Sequence, residues 1–221
     1  MSFGFPNSQR VGRPNEIVEF GKAWLGTALA FAILFGQVRL NTIERITSPG
    51  FLQFLLVAAL TAGVAVILHE LAHRVVARAF GAEAYFVAND GMLVLSVILA
   101  LATGFLFAAP GAVWHRGTTS QRQVGLIAAA GPFVNIVLAL LFGAVLLLTQ
   151  NTDLPLLLEL GLYMGYLINA LLAVFNMLPL GPLDGAKVLS WSGLWFGVLL
   201  AVAAGIAFGL PRVFPVLPGL F

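Results

Sequence analysis

Long apolar runs separated by short polar stretches dominate the 221-residue chain. Runs that stay apolar for about twenty residues, without the alternation of a surface strand, predict helices that cross a membrane. The runs cover residues 23–38, 51–80, 124–148, 156–178 and 188–210. We therefore expect an all-α polytopic membrane protein with about five to six transmembrane helices.

Residues 84–87 differ from these runs because Tyr85, Phe86 and Val87 are strand-forming residues. The turn sequence Asn89-Asp90-Gly91 follows almost directly. The choice is between a short strand and an ordinary loop. We favour the loop, on the general frequency of loops among segments this short.

Residues 92–109 are apolar but are interrupted by Gly104 and ended by Pro110-Gly111. Glycine and proline are suitable places for a chain to turn inside a membrane, provided that protein covers the irregular backbone. We expect a short re-entrant or β segment near residues 84–113, followed by a polar loop at 114–122.

Positive charges argue against a full crossing by this segment. Arg74 and Arg78 end one predicted helix, and Arg116 and Arg122 precede the next. Arginine and lysine beside short loops favour the cytoplasm, so a crossing would force one pair outside. We expect both pairs on the cytoplasmic face of a prokaryotic cell membrane, with Arg74 and Arg78 most simply acting as interface anchors.

Composition supports this class and limits the chemistry. The chain is 60% hydrophobic and 9% charged, with a mean hydropathy of +1.00, a balance outside that of soluble domains. It has no cysteine, which excludes disulfides and thiolate metal sites. A net charge of +2 without a basic cluster gives no indication of a nucleic-acid partner.

The sequence His69-Glu70-Leu71-Ala72-His73 closes the apolar run that begins at residue 51. It places two imidazoles one helical turn apart, where both can bind one zinc ion, and Glu70 can serve as general base. Random placement would produce this motif in about one chain per thousand of this composition. Ionisable groups at lipid depth are costly, which also favours a functional role.

A hydrolytic zinc site usually has three protein ligands and one open position. The candidates for the third ligand are His115, Glu159 and Asp184. His115 is alone in a polar loop, where a surface role is the simpler interpretation. Glu159 is expected near the opposite end of the membrane, whereas Asp184 follows a broken span, where irregular backbone must line a protected cavity.

The chain resembles the site-2 protease family of intramembrane zinc metalloproteases. The resemblance rests on His69-Glu70-Leu71-Ala72-His73, on Gly131-Pro132-x-x-Asn135 and on Asn176-x-x-Pro179 leading to Leu183-Asp184-Gly185, and it covers roughly residues 51–190. The combination is far more specific than any one motif. The chain shows no PDZ or CBS domain, so we expect no regulation by these modules.

This resemblance implies a role for each matching residue. His69, His73 and Asp184 would bind one zinc ion, Glu70 would be the base, and Asn176 would hold substrate or stabilise the transition state. Asn135 would either bond between helices or orient the site from behind the ligands.

The expected activity is hydrolysis of peptide bonds within or next to transmembrane segments of other proteins, near the cytoplasmic side. The expected partners are those transmembrane substrates, the lipid bilayer and an upstream site-1-type protease. A strand at residues 84–87 could pair with the unwound substrate.

Three alternatives stay open. One is a membrane zinc protease of another family that uses Glu159 as third ligand. Another is a non-enzymatic metal-binding transporter, although the inverted repeats typical of transporters are not found in the sequence. The last is an inactive relative, which the intact histidines and glutamate disfavour.

We divide the chain into a cytoplasmic N-terminal tail (1–19), a single transmembrane metalloprotease domain (20–210, with its catalytic core at 51–190) and a short C-terminal end (211–221). Residues 23–38 follow Lys22 and lack a small-residue cleavage site. We therefore expect a retained first helix rather than a removed signal peptide.

Overall fold

A computed structural model describes residues 15–106, 110–117 and 120–209. Its helices are α1 (Glu16–Phe35), α2 (Pro49–Ala79), α3 (Asp90–Thr103), α4 (Gln121–Thr149), α5 (Leu156–Asn176), α6 (Asp184–Trp191) and α7 (Gly193–Gly209). A 3-10 helix, Leu40–Thr47, joins α1 to α2, and the strands are β1 (Glu83–Ala88) and β2 (Gly111–Arg116). Most of the predicted N-terminal tail and the C-terminal end at 211–221 lie outside the described residues.

Among the described residues, α1, α2, α4 and α5 are long and apolar enough to cross a membrane, judged by length and composition. This confirms the all-α polytopic class. The first helix begins at Glu16, inside the predicted tail, because the Asn15 side chain accepts a hydrogen bond from Ile17 N at 3.1 Å.

The apolar run at 188–210 is not one helix. Ser192 has extended backbone (φ −156°, ψ 112°), and its hydroxyl accepts from Trp195 N at 3.4 Å, so α6 ends and α7 begins at this residue. Neither helix reaches the length of the four longer ones.

The long helices approach one another through small residues. A Cβ atom added at Gly165 of α5 would lie 2.6 Å from the ring of Phe142 in α4. Tyr166, Ile136 and Ala139 are buried in the same cluster between these helices. Close approach of this kind is what packs helices in a membrane, where apolar burial alone gives little preference for protein over lipid.

The expected loop at residues 84–87 is wrong, because these residues belong to β1. β1 pairs with β2 in antiparallel register, from Glu83 opposite Arg116 to Ala88 opposite Gly111. Part of the expected loop at 114–122 is therefore strand as well. A strand needs a partner for its backbone groups, and here that partner lies beyond an intervening helix.

The intervening helix α3 lies along α1. Lys22 of α1 pairs with Asp90 at 2.9 Å, and Arg39, after the far end of α1, lies 3.5 Å from the carbonyl oxygen of Ala100. The chain then turns at Gly104, whose φ of +70° favours glycine. Because Ala88 and Gly111 are paired, the segment between them leaves and returns to one place, as a re-entrant segment must.

A π-helical turn, Ala59–Gly63, lies within α2, two turns before the histidines. Trp24 Nε1 of α1 donates to the carbonyl oxygen of Ala59 at 2.8 Å. A π turn inserts one residue and rotates the helix that follows it, so this turn sets which side of α2 the histidines face.

Candidate metal centre

The imidazoles of His69 and His73 lie side by side on α2, and both side chains are buried. Their ring centroids are 4.7 Å apart. The Nε2 atoms lie 3.3 Å (His69) and 3.1 Å (His73) from the same oxygen, Oδ2 of Asp184. Three potential ligand atoms therefore converge on one point.

Asp184 reaches this point from the first turn of α6. The preceding Leu183 is extended, and a Cβ atom at Gly185 would lie 2.2 Å from the carbonyl oxygen of Met177, so α6 begins in close contact with the end of α5. Lys187 Nζ binds the other oxygen, Oδ1, at 3.2 Å.

Burial alone would raise the pKa of Asp184. The charge of His73, hydrogen bonds with His69 and His73, and the charge of Lys187 together hold this pKa well below its usual value. This direction favours the ionised carboxylate, the state that binds a metal.

The surroundings fit a metal ion. A Cβ atom at Gly131 of α4 would lie only 2.5 Å from Nε2 of each histidine, so a side chain at this position would occupy the space in front of both ring nitrogens. Within the described residues, His69, His73 and Asp184 are the cluster whose ligand atoms lie close enough to hold an ion, all within 4.8 Å of one another. Two imidazole nitrogens and one carboxylate oxygen are a donor set that zinc accepts.

Hydrogen bonds behind the rings fix the protons of both histidines. His73 Nδ1 donates to the carbonyl oxygen of Ile127 at 2.7 Å, and His69 Nδ1 donates to Oδ1 of Asn135 at 2.6 Å. Because these oxygens only accept, a proton lies on Nδ1 of each ring, which leaves Nε2 as the atom that could bind a metal. Asn135 thus lies directly behind a proposed ligand.

A cavity of about 590 Å³ opens onto the three side chains. Glu70 and Asn176 line it, as do all residues of β2 from Gly111 to His115. Glu70 is buried, and the Asn176 amide donates to the carbonyl oxygen of Leu172 at 3.0 Å. The structure therefore brings Glu70 and Asn176 to the same space as the three potential ligands.

The other two candidates for the third ligand lie outside the cluster. Glu159 is in the first turn of α5, about 25 Å along the helix from Asn176 at 1.5 Å per residue. His115 is on β2 and lines the cavity, where burial, the charge of Lys187 and then that of His73 lower its pKa.

No family model matches the chain, and no solved structure matches it. The chain is 42% identical over 138 residues to a protein of Methanocaldococcus jannaschii named "Putative zinc metalloprotease MJ0611", a match that covers 62% of the chain and 71% of that protein. The chain belongs to this family of zinc metalloproteases.

Two further relatives carry the same type of name. The metalloprotease is 34% identical over 138 residues to YwhC of Bacillus subtilis, covering 55% of the chain and 62% of that protein. It is 35% identical over 163 residues to sll0528 of Synechocystis, covering 70% of the chain and 37% of that protein. The chain thus spans less than two thirds of the length of these two relatives. Zinc is accordingly the cofactor that both the relatives and the donor set support.

Asn169 is a buried residue of the site that could not be predicted from the sequence. Asn169 of α5 accepts at Oδ1 from Nδ2 of Asn135 at 2.8 Å, and its own amide donates to the carbonyl oxygen of Gly165 at 2.8 Å. This directs the oxygen of Asn135 towards His69. The only sequence signal was an asparagine inside an apolar span, where polar side chains need a partner.

Proposed function

We propose that this metalloprotease is an intramembrane protease of the site-2 type, which hydrolyses peptide bonds within or next to transmembrane segments of other proteins. One observation carries the proposal. The two histidines and Glu70 are buried in α2, a helix long and apolar enough to cross a membrane, and they open onto a large cavity. A protease with this arrangement acts on peptides that reach membrane depth.

His69, His73 and Asp184 would hold the zinc ion, which supplies Lewis-acid chemistry that activates water and polarises a carbonyl group. Glu70 would accept the proton of the attacking water and return it to the leaving amine. Asn176 would donate a hydrogen bond to the oxyanion that develops on the scissile carbonyl, a contribution of about 3–4 kcal/mol for one donor.

The substrate backbone would bind as an added strand, and the geometry favours β2 rather than residues 84–87 as its partner. Side chains already cover the outer edge of β1. The covering contacts are Arg78 with Ala84 O at 2.6 Å, Glu16 with Phe86 N at 3.3 Å and Glu19 with Ala88 N at 2.9 Å. β2 lines the cavity along its length, so a peptide beside it would lie next to the metal site.

A substrate helix must unwind before it can lie beside β2, because an intact helix uses its carbonyl groups in its own hydrogen bonds. Substrates should therefore carry glycine, proline or asparagine near the cleaved bond, since these residues weaken helices. We place the cut near the cytoplasmic side, with the protein multi-pass in a prokaryotic cell membrane and an upstream site-1-type protease preparing the substrate.

Cleavage of a model transmembrane substrate by the purified protein in proteoliposomes tests the proposal. Wild type should cleave, phenanthroline should abolish cleavage and added zinc should restore it. Glu70→Gln should keep its zinc but lose turnover by about a hundred- to ten-thousand-fold, because the proton acceptor is gone. Cleavage by Glu70→Gln at the wild-type rate would overturn the proposed mechanism.

Metal analysis of two further variants separates the ligand alternatives. Asp184→Ala should lower the zinc content per chain, whereas Glu159→Ala should leave zinc and cleavage near wild type. The reverse result would favour a protease that uses Glu159. Zinc binding without hydrolysis of any transmembrane substrate would instead favour the transporter alternative.

A further inference from the structure

The carboxylate of Glu16 contacts both the antiparallel pair of β1 and β2, called the hairpin below, and α2, the helix that carries the histidines. Its Oε1 accepts from Phe86 N of β1 at 3.3 Å, and its Oε2 pairs with Nη2 of Arg74 in α2. Nη2 of Arg78 lies 3.6 Å from Oε1. The two arginines, expected to be membrane-interface anchors, thus also pair with this carboxylate, Arg74 with a side chain 22% exposed and Arg78 with one 48% exposed.

This carboxylate lies between two functional parts of the molecule. Arg74 directly follows His73, so one end of the contact is next to a proposed metal ligand. At the other end, Phe86 is the register partner of Val113, which lines the cavity from β2. The ring of Phe20 in α1 stacks on Phe86 with centroids 4.5 Å apart and supports the same point of the hairpin.

We propose that Glu16 is a positioning residue for peptide cleavage. It holds the hairpin at the distance from α2 that brings a bound peptide to the metal site. The inference rests on the proposed function. It also explains why a carboxylate is present: its two oxygens accept from the strand and the guanidinium at once, whereas an amide has one acceptor oxygen and a second group that opposes the guanidinium.

Glu19 provides a matched control one turn further along α1. It accepts from Ala88 N of β1 at 2.9 Å, as Glu16 accepts from Phe86 N. It also forms an ion pair with Lys22 of α1 at 2.9 Å, so it links α1 to the hairpin rather than to the arginines of α2. The two side chains are similarly shielded, with 23% (Glu16) and 13% (Glu19) of their surface exposed.

Glu16→Gln should lower kcat/KM for a transmembrane substrate about ten-fold, since a displacement of about 1 Å at the reacting bond can cost up to about a hundred-fold. Glu19→Gln should stay within about two-fold of wild type. Arg74→Gln should reproduce the loss, and the double variant Glu16→Gln/Arg74→Gln should lose little more, because both changes break the same contact. Zinc content should stay at the wild-type level in all variants.

Hydrogen exchange provides a second readout that does not need cleavage. The Phe86 amide should exchange faster in Glu16→Gln than in wild type or Glu19→Gln. Equal kcat/KM in Glu16→Gln and Glu19→Gln overturns the inference, as does loss of zinc in Glu16→Gln, which would place the effect at the metal. If wild type cleaves no transmembrane substrate, the proposed function fails, and unchanged Phe86 exchange then overturns the hairpin contact independently.

Discussion

At the scale of single residues, the site depends on groups that orient one another. The Nδ1 protons of both histidines are held from behind, so each ring turns its Nε2 towards the metal position. For His73 the acceptor is a backbone carbonyl, which no substitution removes. For His69 it is the side chain of Asn135, whose NH2 group donates to Asn169 Oδ1 at 2.8 Å and, over a longer distance, to Ala65 O at 3.5 Å.

Replacing Asn169 with leucine, a residue of similar size, should therefore weaken zinc binding. Without the acceptor on Asn169, only the long contact with Ala65 O would hold the amide of Asn135, so the amide can reverse and present its NH2 group to His69. Loss of such outer contacts typically costs 10–100-fold in metal affinity, and we expect a change of about this size in a competitive chelator titration.

Ser96→Ala is the control, because Ser96 is also buried but donates to Met92 O of its own helix, α3, at 2.8 Å. This variant should keep wild-type zinc affinity. Equal affinity of Asn169→Leu and wild type would show that Asn135 keeps its orientation without Asn169.

The distance along the chain between site residues explains which of them could be predicted from the sequence. His69, Glu70 and His73 lie within one helical turn, so their spacing alone places them together. Asp184 depended on a resemblance among separate motifs. Asn169 meets Asn135 across 34 positions of the chain, and only the packing of α4 on α5 creates that contact.

At the scale of elements, two π-helical turns each have a carbonyl group that accepts a hydrogen bond from a side chain of a neighbouring helix. The turn in α2 has its Ala59 carbonyl bound by Trp24 of α1, and the turn at Gly205–Gly209 in α7 has its Ile206 carbonyl bound by the hydroxyl of Tyr166 in α5. A π turn loosens the regular helix hydrogen bonds, so a donor from a neighbouring helix stabilises the backbone in lipid.

Trp24→Phe should destabilise the protein by about 1–3 kcal/mol, because the Ala59 carbonyl would lose this partner at membrane depth. Thermal unfolding in detergent measures the change. Trp195→Phe is the control, since Trp195 is 51% exposed on α7, and it should unfold at the wild-type temperature. A Trp24→Phe protein as stable as this control would contradict the role given to the indole.

The elements differ in how well the sequence predicted them. The four long helices could be predicted because the hydropathy of a window of about twenty residues is enough to identify each of them. The sheet did not, because β1 finds β2 only after α3 has intervened and Gly111 and Ala112 are weak strand formers. The break at Ser192 was missed because its cap is one polar residue within an apolar run.

At the scale of the whole molecule, the hairpin leads to a prediction of how many times the chain crosses a membrane. The ends of the segment from Asn89 to Pro110 are joined, since Asn89 N donates to Pro110 O at 2.8 Å. The end of α2 and the start of α4 should then lie on one side of the membrane, and the loop between α4 and α5 on the other.

Because the chain has no native cysteine, this topology can be tested with single cysteines at the exposed positions Ala79, Gln121 and Thr152. An impermeant maleimide applied to spheroplasts should label Thr152→Cys only. Ala79→Cys and Gln121→Cys should react after the membrane is opened. Labelling of Ala79→Cys and Gln121→Cys from opposite sides would mean that the α3 segment is a true span.

The covered outer edge of β1 has a consequence for selectivity. If a substrate binds as proposed, only the edge of β2 is left for an added strand, and main-chain groups that every peptide shares would hold that strand. Such binding discriminates little between side chains. The choice among membrane proteins would then depend on how readily each substrate helix unwinds in lipid. The stability of that helix, more than the identity of its side chains, would set how fast the substrate is cleaved.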